Sequence, residues 1–210
     1  IGTNALQSSQ YSIYNIAIGD KSLYANINGN QNIAIGYQSM YSNVSGYFNT
    51  SIGHNSLYSN VAGVLISAVG EGALYANING KGNAAIGFRS LFKNNYGDYN
   101  VAVGDSALHS NTNGFGNTAV GTMSLSRSTT SIENTAIGRS ALLRNELGNA
   151  NTAVGAYCLL FNTAGSANTA VGHEALRAMG AGGFNSGIGV EAGTDINNSY
   201  FTTFVGARSN

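Results

Sequence analysis

Asn117-Thr118-Ala119-Val120-Gly121, Asn134-Thr135-Ala136-Ile137-Gly138, Asn151-Thr152-Ala153-Val154-Gly155 and Asn168-Thr169-Ala170-Val171-Gly172 are one phrase written four times, each copy 17 residues after the last. Following its final glycine outward reaches both ends of the chain. The glycine stands at Gly2, Gly19, Gly36, Gly53, Gly70, Gly87 and Gly104. It continues at Gly121, Gly138, Gly155, Gly172, Gly189 and Gly206, with no insertion or deletion anywhere. A fixed period over a whole chain is the mark of equivalent units stacked on one another.

Other positions lock to this glycine, which serves as position 0. The residue before it is always Ile or Val, from Ile1 and Ile18 to Val205, and the residue before that is Ala in nine of twelve repeats. Asn stands four before it in ten of twelve, with Ile66 and Thr202 departing. A small residue follows at +3 (Ser22, Ala73, Cys158) and Leu or Met at +4 (Leu6, Met40, Leu176). Asn recurs at +7 (Asn26, Asn43, Asn145) and Gly at +10 (Gly29, Gly80, Gly165). The consensus is N-x-A-[IV]-G-x-x-[SA]-L-x-x-N-x-x-G-x-x.

Seventeen residues are too few for a helical hairpin and suit one β-coil. Asn, Gly, Val, Ile and Thr also disfavour helix. The fold class expected is therefore all-β, a parallel β-solenoid of about twelve coils. The A-[IV]-G stretch reads as a strand, and a second extended piece is expected over segments such as Ser22-Leu23-Tyr24. Asn26-Ile27-Asn28-Gly29 and its copies read as turns, because Asn and Gly tolerate positive φ. Coils pairing at about 4.8 Å would make a rod roughly 55–60 Å long, with Asn columns free to form amide ladders. The expected core is the Ile/Val and the Leu of each coil. Two such side chains cannot offset the entropy of ordering a coil, so ladders between coils must carry the fold. The small-residue columns are expected at close backbone contacts, within a stack or with other chains, and three intertwined stacks are the simplest arrangement.

Residues 1–176 form the regular repeats and 177–210 a degenerate part, where Met179, Gly193 and Phe204 replace Asn, Leu and Ala. Terminal units of a stack are atypical, so this end reads as a cap or a junction. The chain starts and stops within a repeat and reads as an internal piece of something longer.

Composition excludes several classes. Only 9% of residues are charged, nine basic and nine acidic, against about 25% in an ordinary domain. A neutral chain with its cations scattered among acids lacks the basic stripe of a nucleic-acid binder. No apolar run approaches the roughly 20 residues of a membrane helix. Proline is absent, as expected where backbone N–H groups join ladders throughout. Cys158, alone of its kind, stands in the small-residue column and reads as a buried filler rather than a reactive thiol.

The N-T-A-[VI]-G runs resemble the N-T-A-[VI]-G-x-x-A-L repeats of phage tail fibres and related surface proteins, which often end in an endosialidase-type intramolecular chaperone domain. The same core resembles the head repeats of trimeric autotransporter adhesins of the YadA type. The resemblance covers Ile1 to about Leu176 and implies a left-handed, trimeric β-roll used as a shaft or adhesive head. Adhesin heads usually run shorter repeats, so the tail-fibre relatives match better. It also implies an extracellular, cell-surface or virion location. Neither a chaperone domain nor a membrane anchor falls within these residues.

No constellation calls for catalysis, a metal or a cofactor. His54 and His173 share position +1 but lie seven repeats apart, and His109 sits in another column. The nine carboxylates occupy variable positions. Gly80-Lys81-Gly82 and Gly187-Ile188-Gly189 are repeat glycines, not phosphate loops. At +5, Tyr24, Tyr41, Tyr58, Tyr75 and Phe92 would stack into an aromatic ladder able to bind a glycan or partner, or else simply to seal the coil. Thr50, Thr118, Thr135, Thr152, Thr169 and Thr203 form a broken rank that an ice-binding surface would need unbroken. The leading reading is a non-enzymatic structural fibre that self-associates as a homotrimer or higher assembly. The alternatives are an adhesin head binding host glycan or protein, and an ice-binding solenoid.

Overall fold

The computed structural model describes residues 1–209, and among them it is a parallel β-solenoid without helix. Each coil contributes one three-residue strand, from β1 (Ile16–Ile18) through β7 (Thr118–Val120) and β10 (Thr169–Val171) to β12 (Thr203–Val205). The twelve strands form one sheet in sequence order. Register steps by one repeat throughout, as in Ile16↔Ile33, Thr118↔Thr135 and Ser186↔Thr203.

Alternation within the strand decides which residues point inward. The central residue does, so Ala85, Ala102, Ala119 and Ala136 are fully buried. Its Ile/Val neighbour points out: Ile86 is 46% and Ile137 41% exposed. The expectation of an Ile/Val core is thus overturned. The interior is filled by Leu or Met at +4, and an Ala beside it leaves the room that Leu requires. The small residues at +3, among them Ser90, Ala107 and Cys158, are buried too. Both small-residue columns therefore line the inside of each coil rather than a contact between chains.

The expected second strand is a turn. Leu at +4 takes the left-handed conformation in every regular coil, for example φ 50° at Leu23 and 51° at Leu108, and position +2 does likewise. A left-handed non-glycine residue costs on the order of 1–2 kcal/mol. Here it turns the side chain to the axis while the ladder continues, since Leu23 N–H still donates to the Ser39 carbonyl at 3.0 Å.

The Asn-x-x-Gly turns form, but not by positive φ, which neither Asn26 nor Gly29 adopts. Asn43 donates through Nδ2 to Asn26 Oδ1 at 2.7 Å and to the Gly46 carbonyl at 3.1 Å. The same pattern recurs at Asn60, Asn77, Asn94 and Asn111. Glycine at +10 is required by closeness: a Cβ on Gly80 would stand 2.5 Å from Asn77 Oδ1 and from the Gly97 carbonyl. A second ladder runs at +13, where Asn100 Oδ1 accepts from the Asn117 backbone N–H at 3.0 Å and Asn100 Nδ2 donates to the Gly114 carbonyl at 2.8 Å.

The coils continue in register through β12. There Gly193 stands where Leu is usual and Phe204 where Ala is usual, and a Cβ on Gly193 would lie 2.8 Å from the Phe204 ring. Phenylalanine occupies the space that leucine leaves.

The first Asn ladder breaks at Ser128, leaving Asn111 Oδ1 without a partner. Ser131 replaces the usual glycine in the same coil, and the two hydroxyls bond to each other. Ser128→Asn alone would meet the Ser131 Cβ, and Ser131→Gly alone would only remove a partner. The double change is expected to raise unfolding stability by about 1–2 kcal/mol, with non-additive single effects in a denaturation cycle.

Candidate functional surfaces

Among the described residues no cleft is present and no three His, Cys, Asp or Glu side chains converge. The features left for function are surfaces, and the repeat sorts them by column.

At +5 the rings of Tyr24, Tyr41, Tyr58, Tyr75 and Phe92 stack with centroids 4.9–5.1 Å apart and planes within 14° of parallel. His109 adds a sixth rung, 5.3 Å from Phe92 and tilted 7°. Its membership was legible from its position, five after Gly104. Each inner ring is covered on both faces by its neighbours, so edges and hydroxyls are what the ladder shows to solvent. A sugar that stacks through its apolar face needs an open ring face, which only the ends of the column offer. Burial, then the neighbouring Tyr75 and Tyr41, pushes the Tyr58 hydroxyl above its usual range.

Burial also holds the His109 imidazole below its usual range, with Lys93 and Arg89 acting in the same direction and Asp105 opposing. A histidine with a depressed folded pKa is protonated more readily when unfolded. Its contribution is therefore present above the unfolded value, about 6.5, and lost as pH falls through and below it. The expected NMR titration midpoint of His109 lies below 6.5. His109→Gln should flatten the fall in stability on acidification from about pH 7 to 5.

The other histidines stand apart. His54 stacks on Tyr37 at 5.3 Å, and His173 lies edge-on to Tyr157 and 4.0 Å from Glu174. Cys158 is buried, its Sγ donates to the Ala170 carbonyl at 3.2 Å, and burial pushes its pKa up to about 12. Thiolate chemistry at neutral pH is thereby suppressed.

The sheet face carries two outward ranks. One is the unbroken Ile/Val column; the other mixes Ile16, Ile33, Ala84 and Val101 with Thr50, Ser67, Thr118, Thr135, Thr152, Thr169, Ser186 and Thr203. Flanking it on one side are Tyr47, Phe48, Leu65, Tyr99 and Phe115, and on the other Tyr37 and Phe88. Among the described residues every exposed large apolar side chain lies on this face or its flanks, except Tyr11, Val61, Tyr96, Met123 and Leu147.

The basic residues are sorted by column as well. All the Lys and Arg residues except Lys81 occupy positions +1 to +6. The acids divide: Asp98, Glu133 and Glu146 sit at +8 to +12, while the other six, Asp105 among them, share +1 to +6 with the cations. Cations that look scattered along the chain share one side of the rod. Several rest on rings: Arg139 on Tyr157 at 4.7 Å, Arg89 on Phe88 at 4.9 Å and Arg144 on Phe161 at 4.9 Å.

No family model, curated protein or solved structure matches this chain.

Proposed function

We propose that this chain is a non-catalytic structural segment of a fibre at a virion or cell surface, self-associating through its sheet face, most simply as three copies. The left-handed sense of the coil implied by the repeat resemblance belongs to the same reading. The observation that carries it is the unbroken outward Ile/Val rank of the sheet, beside a mixed rank and between aromatic flanks. Twelve strands at about 4.8 Å, roughly 10 Å across their outward ranks, present on the order of 550 Å². The Ile/Val rank is about half of that, near the lower end of the largest apolar patch on a typical monomer, roughly 300–600 Å², before the aromatic flanks are added. A stable interface needs about 800 Å² per partner, so the flanks must contribute. Copies of one chain suit this face because their coil spacing is identical, and an Ile/Val rank meets its own kind without slipping out of phase.

Light scattering on the purified chain is expected to give three times the 21.6 kDa chain mass. Ile86→Asn with Val120→Asn, both outside the core, should shift the mass toward a single chain while the circular dichroism of the coil is kept. A monomeric wild type would overturn the fibre reading.

A further inference from the structure

Positions +5 and +6 lie about half a repeat from the strand, on the side of the coil away from the apolar face. Along the first five regular coils this edge is the aromatic ladder. Beyond it the edge becomes basic: Lys93, Arg127 and Arg144 at +6, then Arg177 at +5. Lys93, Arg127 and Arg144 are exposed, and among the described residues none has a carboxylate within ion-pair distance. Arg177 lies 3.9 Å from Glu174. Phe161 stands between Arg144 and Arg177, from the coils on either side, with guanidinium carbons 4.9 and 5.5 Å from its ring. The ring holds two long side chains in place, which lowers the entropy lost when they engage a ligand.

We propose that this row is a binding site for an acidic polysaccharide lying along the rod. The spacing supports it. Lys93 to Arg127 is two coils, Arg127 to Arg144 one, and Arg144 to Arg177 two, so cations recur about 5–10 Å apart over roughly 24 Å. An extended polysaccharide with an acid on every sugar, or every second sugar, carries charge at similar intervals. Guanidinium forks match carboxylate and sulfate groups in two-point hydrogen bonds. Covered ring faces argue against a nucleic acid as the occupant. A single strand binds by stacking bases on open aromatic faces, yet Phe161 is flanked by cations and the ladder rings cover one another. Recognition here is by charge, without apolar stacking of sugar or base. The site faces away from the sheet, so it operates on a single chain or on an assembly.

The test is affinity for heparin and for polygalacturonate, with neutral dextran and single-stranded poly-dT as comparators, at 50 and 200 mM salt. Both acidic polysaccharides are expected to bind, dextran is not, and affinity should fall tenfold or more over that salt range. Lys93→Gln, Arg127→Gln and Arg144→Gln together should weaken binding at least tenfold. A charge-matched control, Lys21→Gln, Lys81→Gln and Arg208→Gln, should keep it within about twofold; all six positions are surface ones, so folding is readable separately by circular dichroism. Absence of binding to both polysaccharides would overturn the proposal. So would equal losses in the two triple variants, or tighter binding of poly-dT than of either polysaccharide. None of these outcomes depends on the mass of the assembly, so this site and the fibre reading fail independently.

Discussion

Gly70→Ala is expected to cost about 4 kcal/mol or more and to leave little folded protein, whereas Gly72→Ala, two residues on, should change stability by no more than about 1 kcal/mol. Gly70 sits at φ 130°, where an L side chain is strained, and its Cβ would lie 2.5 Å from the Gly87 carbonyl oxygen and 2.8 Å from that carbonyl carbon. The obstacle is the backbone of the next coil. Moving it would break the ladder on which both coils rest. Gly72 sits at φ 63°, the conformation that Lys21 and Arg89 adopt at the same position in other coils. Its Cβ would meet the Phe92 ring at 3.3 Å and Arg89 Cγ at 3.4 Å, side chains that can yield. Denaturant unfolding of the two variants beside the parent measures the contrast. Equal losses would mean that the coil spacing is slack and the repeat glycine replaceable.

The second large effect is expected from Asn94→Ala, a loss of about 2–4 kcal/mol in the same unfolding experiment. Asn94 is fully buried and donates to Asn77 Oδ1 at 2.9 Å and to the Gly97 carbonyl at 3.0 Å. It also accepts from Asn111 Nδ2 at 2.7 Å. Alanine would leave Asn77 Oδ1 without its donor, the Gly97 carbonyl with Asn83 Nδ2 alone at 2.7 Å, and Asn111 Nδ2 with the Gly114 carbonyl alone. A buried acceptor left unpaired, here Asn77 Oδ1, costs about 1–3 kcal/mol, and the bond lost by Asn111 Nδ2 adds about 1 kcal/mol. Asn95→Ala, one residue along at a variable position, should stay within about 0.5 kcal/mol. A small effect at Asn94 would show that the backbone ladder alone holds the stack.

Regular amide pairing was readable from the sequence, because Asn at a fixed period in a parallel stack must stand on itself. Its breaks were readable too: Ser128 and Met179 depart from the column, and Asn111 Oδ1 and Asn162 Oδ1 are the atoms left without partners. The aromatic ladder followed from the same logic. What the stacked geometry adds is that ring faces are spent on one another. The basic row was legible by the same logic, since Lys93, Arg127 and Arg144 share one column, but net charge and order along the chain hide it until the residues are sorted by column.

The period by itself determined that the chain is a stack of equal coils, how many there are, which residues stand on which, and that glycine must recur wherever coils approach closely. Only the folded chain decided which side of each strand faces in. Alternation in Thr118-Ala119-Val120 permits either the outer pair or the alanine to be buried, and hydropathy favours the valine. The choice falls to volume: a leucine swung inward by a left-handed backbone leaves space for alanine alone. Valine and isoleucine are turned outward into a rank of their own, and Lys93, Arg127, Arg144 and Arg177 onto the opposite edge.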